Sequence, residues 1–322
     1  MNETLAVEEK IITRPDFPGL GKCVSILGVP LGFGAGIEGV ELGPRAMRVA
    51  HLKKRIQGLG YDVKDLGNMT IPEPDYVADE DDNPKYLPEM FSACEKISGE
   101  VYTILKTEQI PVILGGDHSI AIGSLSGVST FFHEQNETLG LIWFDAHADM
   151  NTPDTSPSGN LHGMPLAILF GTGPEQLVNL NGFAPKLDPR FCAHIGARDL
   201  DIGEKKLIRE LGIRFFTMRE IDERGMSVCV DEAIAIAGKA SAGYAVTFDV
   251  DALDPNFAPG SGTLVRGGLT YREAHLGLEK IADDGRMLSL EIVEINTALD
   301  VNNSTAELGV ELILSALGKS IL

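Results

Sequence analysis

Short, nearly uninterrupted apolar runs alternate along this chain with longer stretches in which apolar residues recur every three or four positions. Apolar runs without polar alternation predict strands buried on both faces, as in a parallel sheet with helices packed on each side. The first such run is Cys23-Val-Ser-Ile-Leu27. A helix is predicted from Gly43-Pro44 through about Leu59, with Pro44 suited to the first helical turn, and a short strand follows at Tyr61–Leu66. A helix running to about Lys106 precedes the strand Pro111–Leu114, another to about Phe132 follows it, and Leu141–Phe144 reads as a central strand. The second half repeats the alternation: strand Phe191–Gly196, helix to about Leu211, strand Ile213–Thr217, helix Val228–Ala240 and strand Tyr244–Phe248. A helix over 270–284, a last strand at Leu288–Val293 and a closing helix over 304–318 complete it. About eight strands alternate with helices. That pattern predicts a single three-layer α/β/α domain with a largely parallel sheet over 23–322, behind a polar arm at 1–22.

Three segments break the pattern. Gly28-Val-Pro-Leu-Gly-Phe-Gly-Ala-Gly36 is glycine-rich like a dinucleotide fingerprint, but its spacing is wrong, Pro30 interrupts it and no helix opens directly behind it. Residues 71–88 carry four prolines and six carboxylates, a composition that resists packing and predicts a surface excursion. Ser158-Gly-Asn-Leu-His-Gly-Met-Pro165 reads as a compact polar loop leading into the apolar stretch Leu166–Phe170.

Charge narrows the partners. At a formal net charge of −20, the chain would repel a phosphate backbone, which argues against nucleic acid. No continuous apolar stretch reaches transmembrane length, so no membrane partner is expected. Cys23, Cys94, Cys192 and Cys229 are scattered without metal-ligand spacing and read as free thiols in a reducing compartment. With no apolar targeting segment among the first residues, a cytoplasmic location is expected.

The chemistry lies where the apolar runs stop. Leu141–Phe144 ends in Asp145-Ala-His-Ala-Asp149, and if the chain stays extended there, Asp145, His147 and Asp149 point to one side. Pro111–Leu114 runs into Gly115-Gly-Asp-His118, and Tyr244–Phe248 into Asp249-Val-Asp251. In a parallel α/β sheet, residues past the carboxyl ends of different strands converge on one crevice. His118, Asp145, His147, Asp149, Asp249 and Asp251 then form a six-ligand set with four carboxylates, too many for one ion and suited to two. Mostly oxygen ligands, with one imidazole per ion and no thiolate, favour a harder cation such as Mn²⁺, with dinuclear zinc the alternative. Two such cations would turn water into hydroxide near neutral pH, so the reaction class is metal-assisted hydrolysis.

Gly115-Gly-Asp-His-Ser119, Asp145-Ala-His-Ala-Asp149 and Asp249-Val-Asp-Ala-Leu-Asp-Pro255 resemble the three signatures of the ureohydrolases, the manganese enzymes that include arginase, agmatinase and formiminoglutamase. The resemblance runs from about residue 23 to the C-terminus. Asn151-Thr-Pro, Ser158 to Pro165 and Arg198-Asp-Leu-Asp-Ile-Gly-Glu204 are closer to the arginase branch than to the agmatinase branch. The resemblance implies two Mn²⁺ per chain, one on His118, Asp145, Asp149 and Asp249 and the other on Asp145, His147, Asp249 and Asp251. It implies that Glu294 grips a guanidinium, that His162 shuttles protons, and that Asp149 belongs to the catalytic set. Asn151, Ser158, Asn160, Asp201 and Glu204 match positions that read the α-groups of an amino acid, and Thr263 joins the substrate-binding set. The implied reaction is hydrolysis of L-arginine to L-ornithine and urea by a hydroxide shared between the metals, in a homo-oligomer, trimer or hexamer.

Asp201 and Glu204 also stand near a helix N-terminus, where acidic residues cap the helix and complement its dipole whether or not they bind substrate. Two departures from the family pattern fall in loops near the crevice. Leu264 follows Thr263 where proline is usual, with Arg266 in place of a small or apolar residue, and Thr297 follows Asn296 where proline is usual. Each lost proline restores a backbone N–H and frees φ. Two other functions fit the ligand set: a ureohydrolase for another guanidino compound such as agmatine or guanidinobutyrate, and a non-catalytic metal-binding regulatory subunit.

Overall fold

The structure is a computed structural model and describes residues 23–79 and 81–320. The arm predicted over 1–22 lies outside the described residues. Among the described residues eight strands occur in chain order: β1 (Cys23–Val29), β2 (Asp62–Asn68), β3 (Ile110–Gly115), β4 (Leu139–Phe144), β5 (Cys192–Ala197), β6 (Arg214–Thr217), β7 (Gly243–Asp249) and β8 (Met287–Val293). They form one sheet in the order β2-β1-β3-β8-β7-β4-β5-β6, and every pairing is parallel. All carboxyl ends therefore open on the same edge.

The alternation of side chains across the pleat divides the interior in two. Val112, Leu114, Ile142 and Phe144 face one core, closed by helices Met226–Ala237, Tyr271–Asp284 and Ser304–Ala316. Ile113, Leu141 and Trp143 face the other, closed by helices Leu87–Lys106 and Ile120–His133. Because both faces are covered, the inner strands β3, β4, β7 and β8 are buried along their whole length. The edge strand β2 keeps polar residues and alternating exposure.

Local differences from the sequence pattern have identifiable causes. The helix predicted over 43–59 is two helices, Gly43–Val49 and Leu52–Gly58, parted where His51 takes a left-handed φ of 62°. The helix predicted from Val228 begins at Met226, and a further helix precedes it at Met218–Arg224, capped by the Thr217 hydroxyl and ended at Gly225 with φ 83°. Two turns rich in charge show no apolar period, so pattern reading passed over it. The excursion at 71–88 is not only a surface feature. Its far end is hydrogen-bonded to the segment 151–165, with Lys85 N donating to Gly159 O at 3.0 Å and Asn83 Nδ2 to Pro153 O at 2.5 Å. All four cysteines are free thiols, three of them buried. Among the described residues, no helix is long and apolar enough to cross a membrane.

Candidate active site

Five adjacent strands, β3, β8, β7, β4 and β5, deliver their carboxyl ends to one crevice, and each contributes polar residues just past its last apolar position. At the end of β3 the chain passes so close to the β1 loop that a Cβ on Gly116 would meet Leu31 O at 1.8 Å. Glycine there lets the chain turn and bring His118 inward. Asp117 braces the same turn, accepting from Gly34 N at 2.8 Å and Ser119 N at 3.0 Å. Directly after β8 the chain enters the left-handed region at Glu294, φ 63°, a conformation that costs a non-glycine residue about 1–3 kcal/mol and is held here by Glu294 N donating to Gly116 O at 2.8 Å.

The segment after β4 corrects one sequence expectation. The strand stops at Phe144, the backbone bends at Ala146–His147, and Asp149 takes φ 53°, so the period-two argument for three parallel side chains does not hold. Side-chain anchors replace it. Asp145 is held by Trp143 Nε1 at 3.0 Å and by its bond to His147 N at 2.7 Å, and the Trp143 ring stacks on His118 with centroids 4.2 Å apart. Asp251 is fixed by Ala146 N at 3.2 Å and the Thr263 hydroxyl at 3.0 Å, and Asp249 accepts from Asp251 N at 2.7 Å.

The result is two overlapping groups of ligand atoms, His118, Asp145 and Asp249 in one and Asp145, His147 and Asp251 in the other, with Asp145 common to both. His118 Nδ1 lies 3.1 Å from Asp145, 3.2 Å from Asp149 and 3.2 Å from Asp249. One ring N–H can satisfy only one of three carboxylates, and neither His118 Nδ1 nor Asp149 Oδ2 has a properly directed hydrogen bond although both are buried. A cation between them would satisfy every oxygen at once, so the residues fit a metal. His147 Nδ1 lies 3.1 Å from Asp251 and 3.5 Å from Asp145.

The electrostatics agree. Burial, then repulsion from Asp145, pushes Asp149 up to about 7, and burial with repulsion from Asp251 raises Asp249 well above the carboxylate range. Burial opposes charge on His147, but Asp145 and Asp251 override it and hold the ring at about 12. Without added positive charge, these carboxylates cannot all ionise in so small a volume.

A cavity of about 170 Å³ opens above the ligands. His118, His147, Asp149 and Asp249 form part of its floor, and Asn151, Ser158, Asn160, His162, Asp201, Glu204, Thr263 and Glu294 line it, while Asp145 and Asp251 lie deeper. His162 Nδ1 is 3.0 Å from Glu294 Oε1, which also accepts from His118 N at 2.9 Å. Burial disfavours the charged ring of His162, but Glu294, Asp117 and Asp149 outweigh it and hold the group at about 9. Glu204 has both oxygens engaged by backbone, Met150 N at 3.0 Å and Asp201 N at 2.7 Å, and Asp201 accepts from Asn151 Nδ2 at 2.9 Å. The capping role and the cavity-lining position thus coincide in the same pair.

Sequence reasoning left several cavity residues without a role. Ser156, Asp199 and Leu200 reach the cavity beside residues it did name. Arg198, quoted only as part of a motif, donates to the carbonyls of Gly196, Asp251, Ala252, Leu253 and Val265 at 2.6–3.3 Å, tying β5 to the Asp251 loop and to the loop after Thr263. A lone arginine among acidic motif residues reads as an ion-pair partner, and nothing in the sequence indicates that carbonyls receive it.

Residues 22–318 match the family model described as "Arginase family". The arginase of Bacillus subtilis (strain 168) is 45% identical over 303 residues, covering 94% of this chain and all of the relative. That of Brevibacillus brevis has the same identity and coverage. The crystal structure of the Bacillus caldovelox arginase superposes with a TM-score of 0.89 at 43% identity, over 94% of this chain and 100% of that one.

Proposed function

The chain belongs to the arginase family, and from that premise we propose that it is an arginase, hydrolysing L-arginine to L-ornithine and urea at the crevice above β3, β8, β7, β4 and β5. The observation that carries the reading is the placement of Glu294. Its carboxylate stands at the cavity wall, bonded through one oxygen to His162 and to the amide of the ligand residue His118. A carboxylate there grips a planar guanidinium by its paired N–H groups and sets its carbon over the ligand cluster.

We assign the metals as two Mn²⁺, one on His118, Asp145, Asp149 and Asp249, the other on Asp145, His147, Asp249 and Asp251. When bound, such a pair supplies hydroxide from water at neutral pH and positive charge for the tetrahedral state. Glu294 orients the substrate, and Asp149, a ligand that also forms part of the cavity floor, belongs to the catalytic set. His162, its Nδ1 tied to Glu294, holds a proton at the cavity wall for the departing amine. At the outer end Asn151, Ser158, Asn160, Asp201, Glu204 and Thr263 supply the polar groups that an amino acid's ammonium and carboxylate require. We further read 23–322 as one catalytic domain, the chain as cytoplasmic, and the assembly as a homo-oligomer of three or six.

Agmatine lacks the α-carboxylate of arginine, so it leaves the polar outer wall partly unpaired, a mismatch that discriminates by orders of magnitude. The test is metal analysis paired with urea release from L-arginine, agmatine and guanidinobutyrate. L-arginine should be preferred at least ~100-fold in kcat/KM, and Asp201→Ala should narrow that gap with metal content unchanged. Equal turnover of agmatine would overturn the arginase assignment and leave family membership intact.

A further inference from the structure

Beneath the ligand cluster lies a polar chain that the proposed reaction does not use. His118 directs its second ring nitrogen, Nε2, away from the carboxylates and into the sheet, 2.9 Å from the Thr247 hydroxyl on β7. Thr247 is directly opposite Glu291 in the β7–β8 register, so the hydroxyl and the carboxylate stand side by side on one face of the sheet. Glu291 is 2% exposed in a buried strand whose other residues, Ser289 apart, are apolar. One of its oxygens accepts from the Ser124 hydroxyl at 2.5 Å, while the other, Oε1, is buried without a well-formed hydrogen bond. A carboxylate in that position is expensive and needs a reason.

Counting protons supplies one. For His118 to hold a cation through Nδ1, that nitrogen must present a lone pair, so the ring proton resides on Nε2. Nε2–H then donates to Thr247 Oγ1, and the Thr247 hydroxyl, having accepted, must send its own proton elsewhere. Ionised, the neighbouring Glu291 only accepts; Ser124 occupies one of its oxygens, and Oε1 is the one open to that proton. The sequence Glu291, Thr247, His118 therefore has a single consistent direction, with every donor pointing toward Glu291.

We propose that Thr247 and Glu291 are positioning residues: Glu291, through the Thr247 hydroxyl, fixes His118 in the tautomer and orientation that hold the cation on the His118 side of the centre. This rests on the reading that His118 ligates a metal. Groups that receive the distal N–H of a ligating histidine commonly set metal affinity by 10–100-fold. Thr247 and Glu291 sit on strands whose motif residues lie further along, so neither belongs to a recognisable ligand motif.

The experiment measures Mn²⁺ binding by chelator competition with metal counting, on wild type, Thr247→Val, Thr247→Ser and Glu291→Gln. Wild type should bind two ions. Thr247→Val keeps the shape and removes the hydroxyl, and should weaken one ion about 10–100-fold while leaving the other unchanged. Thr247→Ser retains the hydroxyl and should restore binding to within a few-fold, which a purely packing role would not do because serine lacks the methyl group. Adding His147→Asn to Thr247→Val should strip the remaining ion, identifying the weakened one as that of His118. If Thr247→Val fails to fold, Glu291→Gln carries the test and should weaken the same ion several-fold. Folded Thr247→Val or Glu291→Gln with both ions as tight as wild type would overturn the relay alone. A wild type that binds no Mn²⁺ would overturn the metal reading beneath it.

Discussion

Glu294 illustrates what single residues contribute here. Two donors, the His118 amide and the His162 ring, share its Oε1, so Oε2 is left for a ligand in the cavity. His162 touches the carboxylate without joining either ligand group. Replacing His162 with Ala should therefore leave bound metal at the wild-type level while turnover falls by about 10²–10⁴, the usual worth of a positioned acid or base. Small imidazole bases should return part of the rate. Loss of metal in this variant would make His162 a ligand and refute the assignment. Asp249→Ala should behave oppositely and lose an ion, because Asp249 faces His118 Nδ1 at 3.2 Å and is assigned as a ligand shared by both ions. Metal counting on the two variants separates the roles. At this scale the sequence was most informative: ligand-type residues directly after apolar runs identified His118, Asp145, His147, Asp149, Asp249 and Asp251 as a set. It could not supply the left-handed φ of Asp149 and Glu294, because such conformations are imposed by the surrounding structure and not by the residues that adopt them.

Elements are positioned by contacts that leave no periodic trace. Strands were legible because burial on both faces produces unbroken apolar runs, and the helix over 270–284 because its apolar residues recur every three or four positions; in the structure a capping box of Thr270 with Glu273 fixes its start. The division of the 43–59 helix at His51 and the short helix at Met218–Arg224 were not legible, since neither changes the apolar pattern. Loops were the least legible. Leu264 stands where the family usually has proline, yet the loop is not left free, because Arg198 grips Val265 O at 2.8 Å while also holding Asp251 O at 2.6 Å. One guanidinium thus joins the Asp251 turn to the turn that carries Thr263. Arg198→Met should release both, lowering stability by about 2–4 kcal/mol, since charge-assisted hydrogen bonds are lost together and not additively. Amide exchange should accelerate at 251–253 and 263–266 in particular. Arg198→Lys, which keeps the charge but not the fork, should recover only a minor part. Unchanged exchange at both loops in the methionine variant would show that the turns are held by other contacts.

Taken whole, the molecule gathers negative charge at one edge of its sheet, and that sets how its stability depends on pH and on metal. The chain carries a formal charge of −20, and four of its carboxylates, Asp145, Asp149, Asp249 and Asp251, meet in one cluster at the base of the crevice. In the metal-free protein His147 is held at about 12 by Asp145 and Asp251 against the cost of burial, and His162 at about 9 chiefly by Glu294, again against burial. Asp149 is pushed to about 7 by burial and by Asp145. Each of these groups binds its proton more tightly folded than unfolded. Their stabilising contribution is complete below the unfolded pKa and is lost as pH rises toward the folded one. His194, which burial holds down at about 4, works in the opposite sense only below pH 6.5, and Lys186, lowered to about 8 by burial, only above 8. Between pH 6.5 and 8 the raised groups act unopposed by either. The metal-free protein should therefore lose stability across that window, with a fall in Tm on the order of 5–10 °C for a chain of this size. Cations reverse the sign, because ligation requires His118 and His147 to shed protons and the carboxylates to ionise, so binding tightens as pH rises. Thermal unfolding with and without Mn²⁺ at pH 6.5 and pH 8 should show the gap in Tm widening with pH. A metal-free Tm that is flat or rising over this range would mean that the crevice does not store the repulsion attributed to it.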